Sequence, residues 1–112
     1  MSKMMLVTTD SIGSSNHALG TVLMTSFFMN LAESEDLPSS IHFLNEGARL
    51  TCEGSRVLDF IKRLEGRGVT IATCQTCLEY LHLEDKLSVG QVGKMNTTVS
   101  DLVGTDSSII IA

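Results

Sequence analysis

What most constrains this chain is an alternation: short apolar, β-rich runs take turns with longer stretches whose apolar residues recur at helical spacing. Lys3 to Thr9 reads as a buried strand. The loop Asp10 to Asn16 follows, with Ser15 or Asn16 as a helix cap. His17 to Ser34 reads as an amphipathic helix with a core stripe of Leu19, Val22, Leu23, Phe27, Asn30 and Leu31. Pro38 ends it, and Ser40 to Asn45 reads as a second strand. The loop Glu46 to Gly54 carries Cys52, and Ser55 caps a helix built on Val57, Leu58, Ile61 and Leu64, with Gly66 and Gly68 as its stop. Val69 to Thr73 is β-branched enough for a third strand. Thr76 and Glu79 have capping-box spacing, which places a helix from Cys77 to about His82. Leu87 to Gly93 holds a short fourth strand, Asn96 or Thr97 caps a helix through Leu102 and Val103, and Ser108 to Ala112 reads as a last buried strand.

Crossovers of this length predict about five mostly parallel strands with helices on both faces, in one domain over residues 1–112. Such sheets carry their functional loops at the carboxyl ends of the strands. Asp10 to Asn16, Asn45 to Glu53 and Cys74 to Cys77 all fall on that rim.

With 43% hydrophobic residues and a single proline, the chain is globular in character. No apolar run approaches the roughly 20 residues that span a bilayer. The first ten residues read as a strand and not as a signal peptide, which makes a cytoplasmic location the expectation. Three cysteines argue against a disulfide framework. A net charge of −5 and the lack of a basic block beyond Lys62, Arg63 and Arg67 weigh against nucleic acid.

Cys74 and Cys77 form a C-x-x-C pair where a strand gives way to a helix. Such a pair can be a redox dithiol, half of a zinc site, a sulfur carrier or two packing residues. A helix start favours a thiolate, the form that attacks sulfur. Zinc would need Cys52 and one of His17, His42 or His82 to complete four ligands, with no second close-spaced pair to supply them. A thioredoxin-like dithiol usually has a tryptophan nearby, and this chain has none. Cys52 reads as a partly covered loop thiol whose pKa Glu53 raises. The Ser- and Gly-rich loop after the first strand has the form of a phosphate cradle, but a turn and a cap explain the same residues, and Asp10 would repel phosphate. His42 lies within a strand and His82 ends the cysteine helix; neither is spaced as a triad member. Met24, Phe28 and Met29 form an apolar patch off the helix's core stripe, which predicts a homo-oligomer interface.

Five segments then carry a resemblance: NHALGTVLMTSFF, IHFLNEGARLT, EGSRVLDFIKRLEGRGV, TCQTCLEYLHLEDKLSVGQVGKM and the final apolar strand. In this order they resemble the DsrE-like domain of YedF-type proteins, which are associated with selenium metabolism and sulfur transfer. The most specific part is Cys74 to Gly90. The resemblance implies a flavodoxin-like α/β/α fold, an oligomer, and sulfur carried as a cysteine persulfide between donor and acceptor proteins without a cofactor. The group's persulfide cysteine follows the third strand, which falls on Cys74, and Cys77 is the second cysteine of the C-x-x-C subset. Gln75 stands where the group often has glycine, and Gly93-Lys94-Met95 where an Asn-Met pair is common. YedF-type proteins often carry a sulfur-carrier-like domain ahead of this one; if that domain is the partner, it comes from another chain, or the role differs.

The expectation is therefore a sulfur carrier, possible sulfurtransferase, in which Cys74 accepts sulfur and Cys77 assists. The alternative is a non-catalytic oligomeric module with a ligand groove at the carboxyl edge of the sheet.

Overall fold

The computed structural model describes residues 2–112. Five strands, β1 (Lys3–Val7), β2 (Ser40–Phe43), β3 (Thr70–Cys74), β4 (Gln91–Gly93) and β5 (Ser107–Ile111), make one sheet in the order β4-β3-β2-β1-β5. Every neighbouring pair is parallel. The helices are α1 (His17–Glu33), α2 (Leu58–Gly66), α3 (Gln75–Tyr80) and α4 (Met95–Gly104), with a 3-10 segment over Asn45–Thr51.

Alternation along the strands sorts side chains onto two faces. Met5, Val7, Ile41, Phe43 and Ile71 point one way and close a core with Met24, Phe28 and Ala32 of α1 and Ile61 and Leu64 of α2. His42 points the other way, under α4, where Thr98 Oγ1 lies 3.3 Å from its Nδ1. The β4–β5 connection crosses the whole sheet, so α4 covers its face alone. The result is the expected flavodoxin-like three-layer α/β/α architecture. No helix among the described residues is long and apolar enough to cross a membrane.

Several local expectations are corrected. The apolar stripe of α1 runs one position out of phase: Gly20, Met24, Phe28 and Ala32 are buried, while Leu19, Val22, Leu23 and Met29 are exposed. Gly20 sets this phase. A Cβ there would collide with Ser11 Oγ and the Ile12 carbonyl, and its own carbonyl accepts from Ile12 N–H at 3.1 Å. Phe28 therefore stacks on Phe43 at 6.0 Å and belongs to the core, not to an interface patch.

The rim stretch at Asn45–Thr51 is helical because Gly47 packs against the end of β1, where a Cβ would strike the Val7 carbonyl. Helix α3 starts at Gln75, two residues earlier than expected, with Cys74 in the cap position and no side-chain cap. Gln75 Nε2 instead donates to Glu79 Oε2 at 3.4 Å. Neither Asn96 nor Thr97 caps α4; its cap position is Lys94. The Asn16 cap is present, accepting from Leu19 N–H at 2.9 Å. The last strand, expected to be buried, is an edge strand with Ile109 and Ile110 exposed.

Candidate functional site

The parallel sheet brings the ends of β1, β2 and β3 to one rim, and with them the three sequence segments that carry the cysteines and the first loop. Cys74 ends β3 and is 6% exposed. Cys77, in the first turn of α3, is half-buried and is the most accessible of the three thiols. It packs against a small cluster of Ala48, Cys52 and Leu78.

Asn45 makes the site more than a pair of neighbouring thiols. Its backbone sits in the left-handed region at φ 53°, an arrangement that costs most residues energy and that Asn tolerates. In this conformation its N–H donates to Cys77 Sγ at 3.1 Å. A backbone donor on sulfur stabilises the thiolate more than the thiol. Opposing it, burial pushes the Cys77 thiol up and the adjacent Cys74 pushes it further; burial is the largest effect, so the pKa lies above the usual thiol range. With both cysteines reduced, Cys77 is therefore held mostly protonated at neutral pH. Asn45 escaped the sequence reading, although an Asn just before the tightly packed Gly47, at a strand end, is the signal that could have found it.

Cys52 is not the partly covered loop thiol expected: it is 1% exposed, and its S–H donates to the Ala48 carbonyl at 3.2 Å. Its pKa is raised as anticipated, but by burial, with Thr51 and Arg49 opposing. Glu53 turns away toward Lys86, 3.8 Å distant. Beside it, Thr51 and Thr73 share a buried hydroxyl–hydroxyl hydrogen bond of 2.7 Å that ties the 3-10 segment to β3.

The loop after β1 spends its polar groups internally. Thr9 O–H donates to the Ser11 carbonyl at 2.7 Å, and Ser11 O–H donates to the His17 carbonyl at 2.8 Å. A cleft of about 690 Å³ opens between this loop, α1 and the segment before α2. Asp10, His17, Arg49 and Arg56 line it, as does Cys52, but neither Cys74 nor Cys77 does. His42 is buried on the α4 face of the sheet, with Nε2 3.2 Å from Asp101 Oδ2 but without the alignment of a hydrogen bond. His82 follows α3 with φ 58°. Among the described residues, no group of three or more His, Cys, Asp or Glu side chains is arranged to hold a metal ion.

Comparison with known proteins finds no matching family model and no matching curated protein. Solved structures do match over nearly the whole chain. The YchN protein of E. coli superposes with a TM-score of 0.73 at 12% identity, covering 99% of this chain and 100% of its own. MTH1491 of Methanobacterium thermoautotrophicum, a protein of unknown function, superposes with a TM-score of 0.70 at 18% identity, covering 96% of each. The fold is DsrE-like. At these identities the likeness speaks for the DsrE-like architecture alone.

Proposed function

We propose that this chain is a sulfur carrier of the DsrE-like group, working through the Cys74–Cys77 pair. The observation that carries the reading is the backbone N–H of Asn45 on Cys77 Sγ, with a second thiol one helical turn away. The similarity of Cys74 to Gly90 to the YedF-type motif supports the same role. The resemblance puts the accepting role on Cys74; exposure favours the opposite order, because a donor reaches Cys77 first.

In this order the Cys77 thiolate attacks the outer sulfur of a donor persulfide. A new S–S bond forms to Cys77, the donor's S–S bond breaks, and the donor leaves as its thiolate. The Asn45 N–H steadies the attacking sulfur before the transfer. An acceptor thiolate then takes the outer sulfur and releases Cys77 as a thiolate. If none arrives, Cys74 attacks the inner sulfur, giving a Cys74–Cys77 disulfide and hydrosulfide. The attacking form is the minor thiolate fraction of Cys77, whose proton goes to solvent; the donor is a protein or small-molecule persulfide and the acceptor a protein or small-molecule thiol.

The test is intact-mass analysis after incubation with a cysteine desulfurase and cysteine. A gain of one sulfur atom, reversed by reductant, is expected. Cys77→Ser should abolish loading, Cys74→Ser should leave a persulfide that survives longer, and Cys52→Ser should load normally. Loading that survives Cys77→Ser but fails in Cys74→Ser returns the accepting role to Cys74. No sulfur gain in any form overturns the carrier. A second reading, a binding module, is favoured by the cleft that lies apart from the cysteine pair. It gains if small ligands perturb Arg49 and Arg56 in a protein that never loads sulfur.

A further inference from the structure

We propose that the cleft between α1 and the segment before α2 binds a small zwitterion, an α-amino acid with an apolar side chain, held by its carboxylate at Arg56 and by its ammonium group at Asp10. The site stands apart from the cysteine pair, so its test neither uses nor disturbs sulfur loading.

The cleft has the dimensions for such a ligand. Its volume of about 690 Å³ lies within the roughly 300–1,000 Å³ usual for small-molecule sites and far exceeds what a bare ion needs. Buried Met24, Leu50 and Val57 form its floor, and Val22 and Leu83 stand at its sides. These are contacts for a hydrocarbon side chain.

Charge decides what else the ligand carries. Two guanidinium groups, Arg49 and Arg56, and two carboxylates, Asp10 and Glu53, line the cleft. One of each is already matched. Arg49 Nε donates to Glu46 Oε2, a carboxylate outside the lining. Glu53 faces Lys86 Nζ at 3.8 Å. Arg56 and Asp10 are left over. Arg56 makes no ion pair among the described residues. Asp10 has one ion-pair partner among them, His17, whose Nε2 lies at 3.9 Å, beyond hydrogen-bond reach. Its charge nonetheless reaches into the cleft. Arg49 is held above its ordinary pKa, first by the Glu46 hydrogen bond, against burial, and further by Asp10.

Arg56 and Asp10 come from separate walls, one ahead of α2 and the other after β1, and they make no ion pair with each other. A pure anion gains at Arg56 and is repelled by Asp10; a pure cation meets the reverse. A ligand with both charges gains at both ends. The guanidinium fork matches a carboxylate, which accepts two parallel N–H bonds. An ammonium group brings three donors to a carboxylate whose acceptor sites are free. In a chain of net charge −5, a lining with as many guanidinium groups as carboxylates is also locally rich in positive charge, which draws the carboxylate end in.

The test is titration of the isotope-labelled full chain with L-leucine, L-methionine and L-valine, each to about 10 mM, followed by amide chemical shifts. At least one should saturate, with shifts concentrated at cleft residues such as Asp10, Val22 and Arg56. The same side chain on an acid without the amino group (isocaproate for leucine), or on an amine without the carboxyl (isopentylamine), should bind at least about tenfold more weakly, because each forgoes one charge-assisted contact. Arg56→Gln and Asp10→Asn should each weaken amino-acid binding by a similar factor with unchanged circular dichroism. Lys94→Gln, at the start of α4 and outside the cleft, should leave it unchanged. No saturable shift with any of the three amino acids overturns the proposal. So does an acid or amine analogue that binds as tightly as the amino acid, or binding indifferent to both cleft substitutions. Inorganic phosphate binding at the same amides as tightly would mark a plain anion site and overturn it equally.

Discussion

Replacing Phe28 with alanine tests the phase of α1 and hence the position of the core. The ring is fully buried, stacks on Phe43 at 6.0 Å and meets Phe27 edge-on at 5.3 Å. A buried Phe→Ala change costs about 3–5 kcal/mol, combining lost transfer energy with the cavity left behind. A domain of this size has only about 5–15 kcal/mol in total. At about 4 °C per kcal/mol, the midpoint of melting falls by roughly 12–20 °C. Val22→Ala is the control: its side chain is 62% exposed, so little burial is lost, and alanine's better helix propensity offsets part of that. The net change should stay within about 0.5 kcal/mol. Urea denaturation followed by circular dichroism, at one fixed protomer concentration, measures both. If Val22→Ala costs as much as Phe28→Ala, or Phe28→Ala costs under about 1 kcal/mol, the helix faces the sheet by its other stripe and the core is wrongly placed.

Gly20→Ala should destabilise by about 1–3 kcal/mol because the new methyl meets the Ser11–Ile12 turn, and a neutral result in the same assay would remove Gly20 as the phase-setting residue. Cys77 should be alkylated by iodoacetamide faster than Cys52, read by peptide mass mapping; equal rates would contradict their difference in burial. Cys74→Ala should speed alkylation of Cys77 at a fixed pH, because Cys74 helps hold the Cys77 thiol protonated, and a slower reaction would reverse that sign. His42 is held below its usual pKa of 6.5, chiefly by burial, with Asp101 in partial opposition. The unfolded chain therefore takes up this proton first as pH falls. The His42 contribution is complete above pH 6.5 and is lost below it, with a slope of at most about 1.4 kcal/mol per pH unit. His42→Gln should flatten the stability profile between pH 6.5 and 5, whereas an unchanged profile would exclude His42 as its source.

The order of strands and helices could be read from the chain because each element has its own hydrophobic period and its own punctuation, such as Asn16, Pro38 and Gly68. The rim followed from the same reading, since parallel strands carry their C-terminal loops to one side. What escaped was decided by tertiary contact. Helix α1 is apolar nearly all round, so its sequence offers two stripes, and only the collision at Gly20 selects between them. Cys52 reads as a loop thiol because its neighbours Glu53 and Gly54 are polar or small, yet Ala48 from the turn before it and Leu78 from α3 close over it. The donor to Cys77 is a main-chain N–H, and a backbone group leaves no residue-type signal except the Asn that tolerates its φ. The burial of β5 was expected from its composition, which cannot distinguish a strand covered by its own chain from one left open at an edge.

The middle position of β1 also dictates when the fold can be finished. Its two neighbours come from opposite parts of the sequence: β2 follows after one helix, whereas the contact beside β5 joins Ser2 to Asp106, 104 positions away. Closing so long a loop is entropically slow, and non-local pairing of this kind lengthens folding times. β1, β2 and β3 with α1 and α2 can assemble while the chain is still emerging. Until β5 arrives, however, one side of β1 is an open apolar edge. A nascent or newly diluted chain therefore passes through a stage whose exposed strand is a central one, and chaperone demand should be highest at that stage.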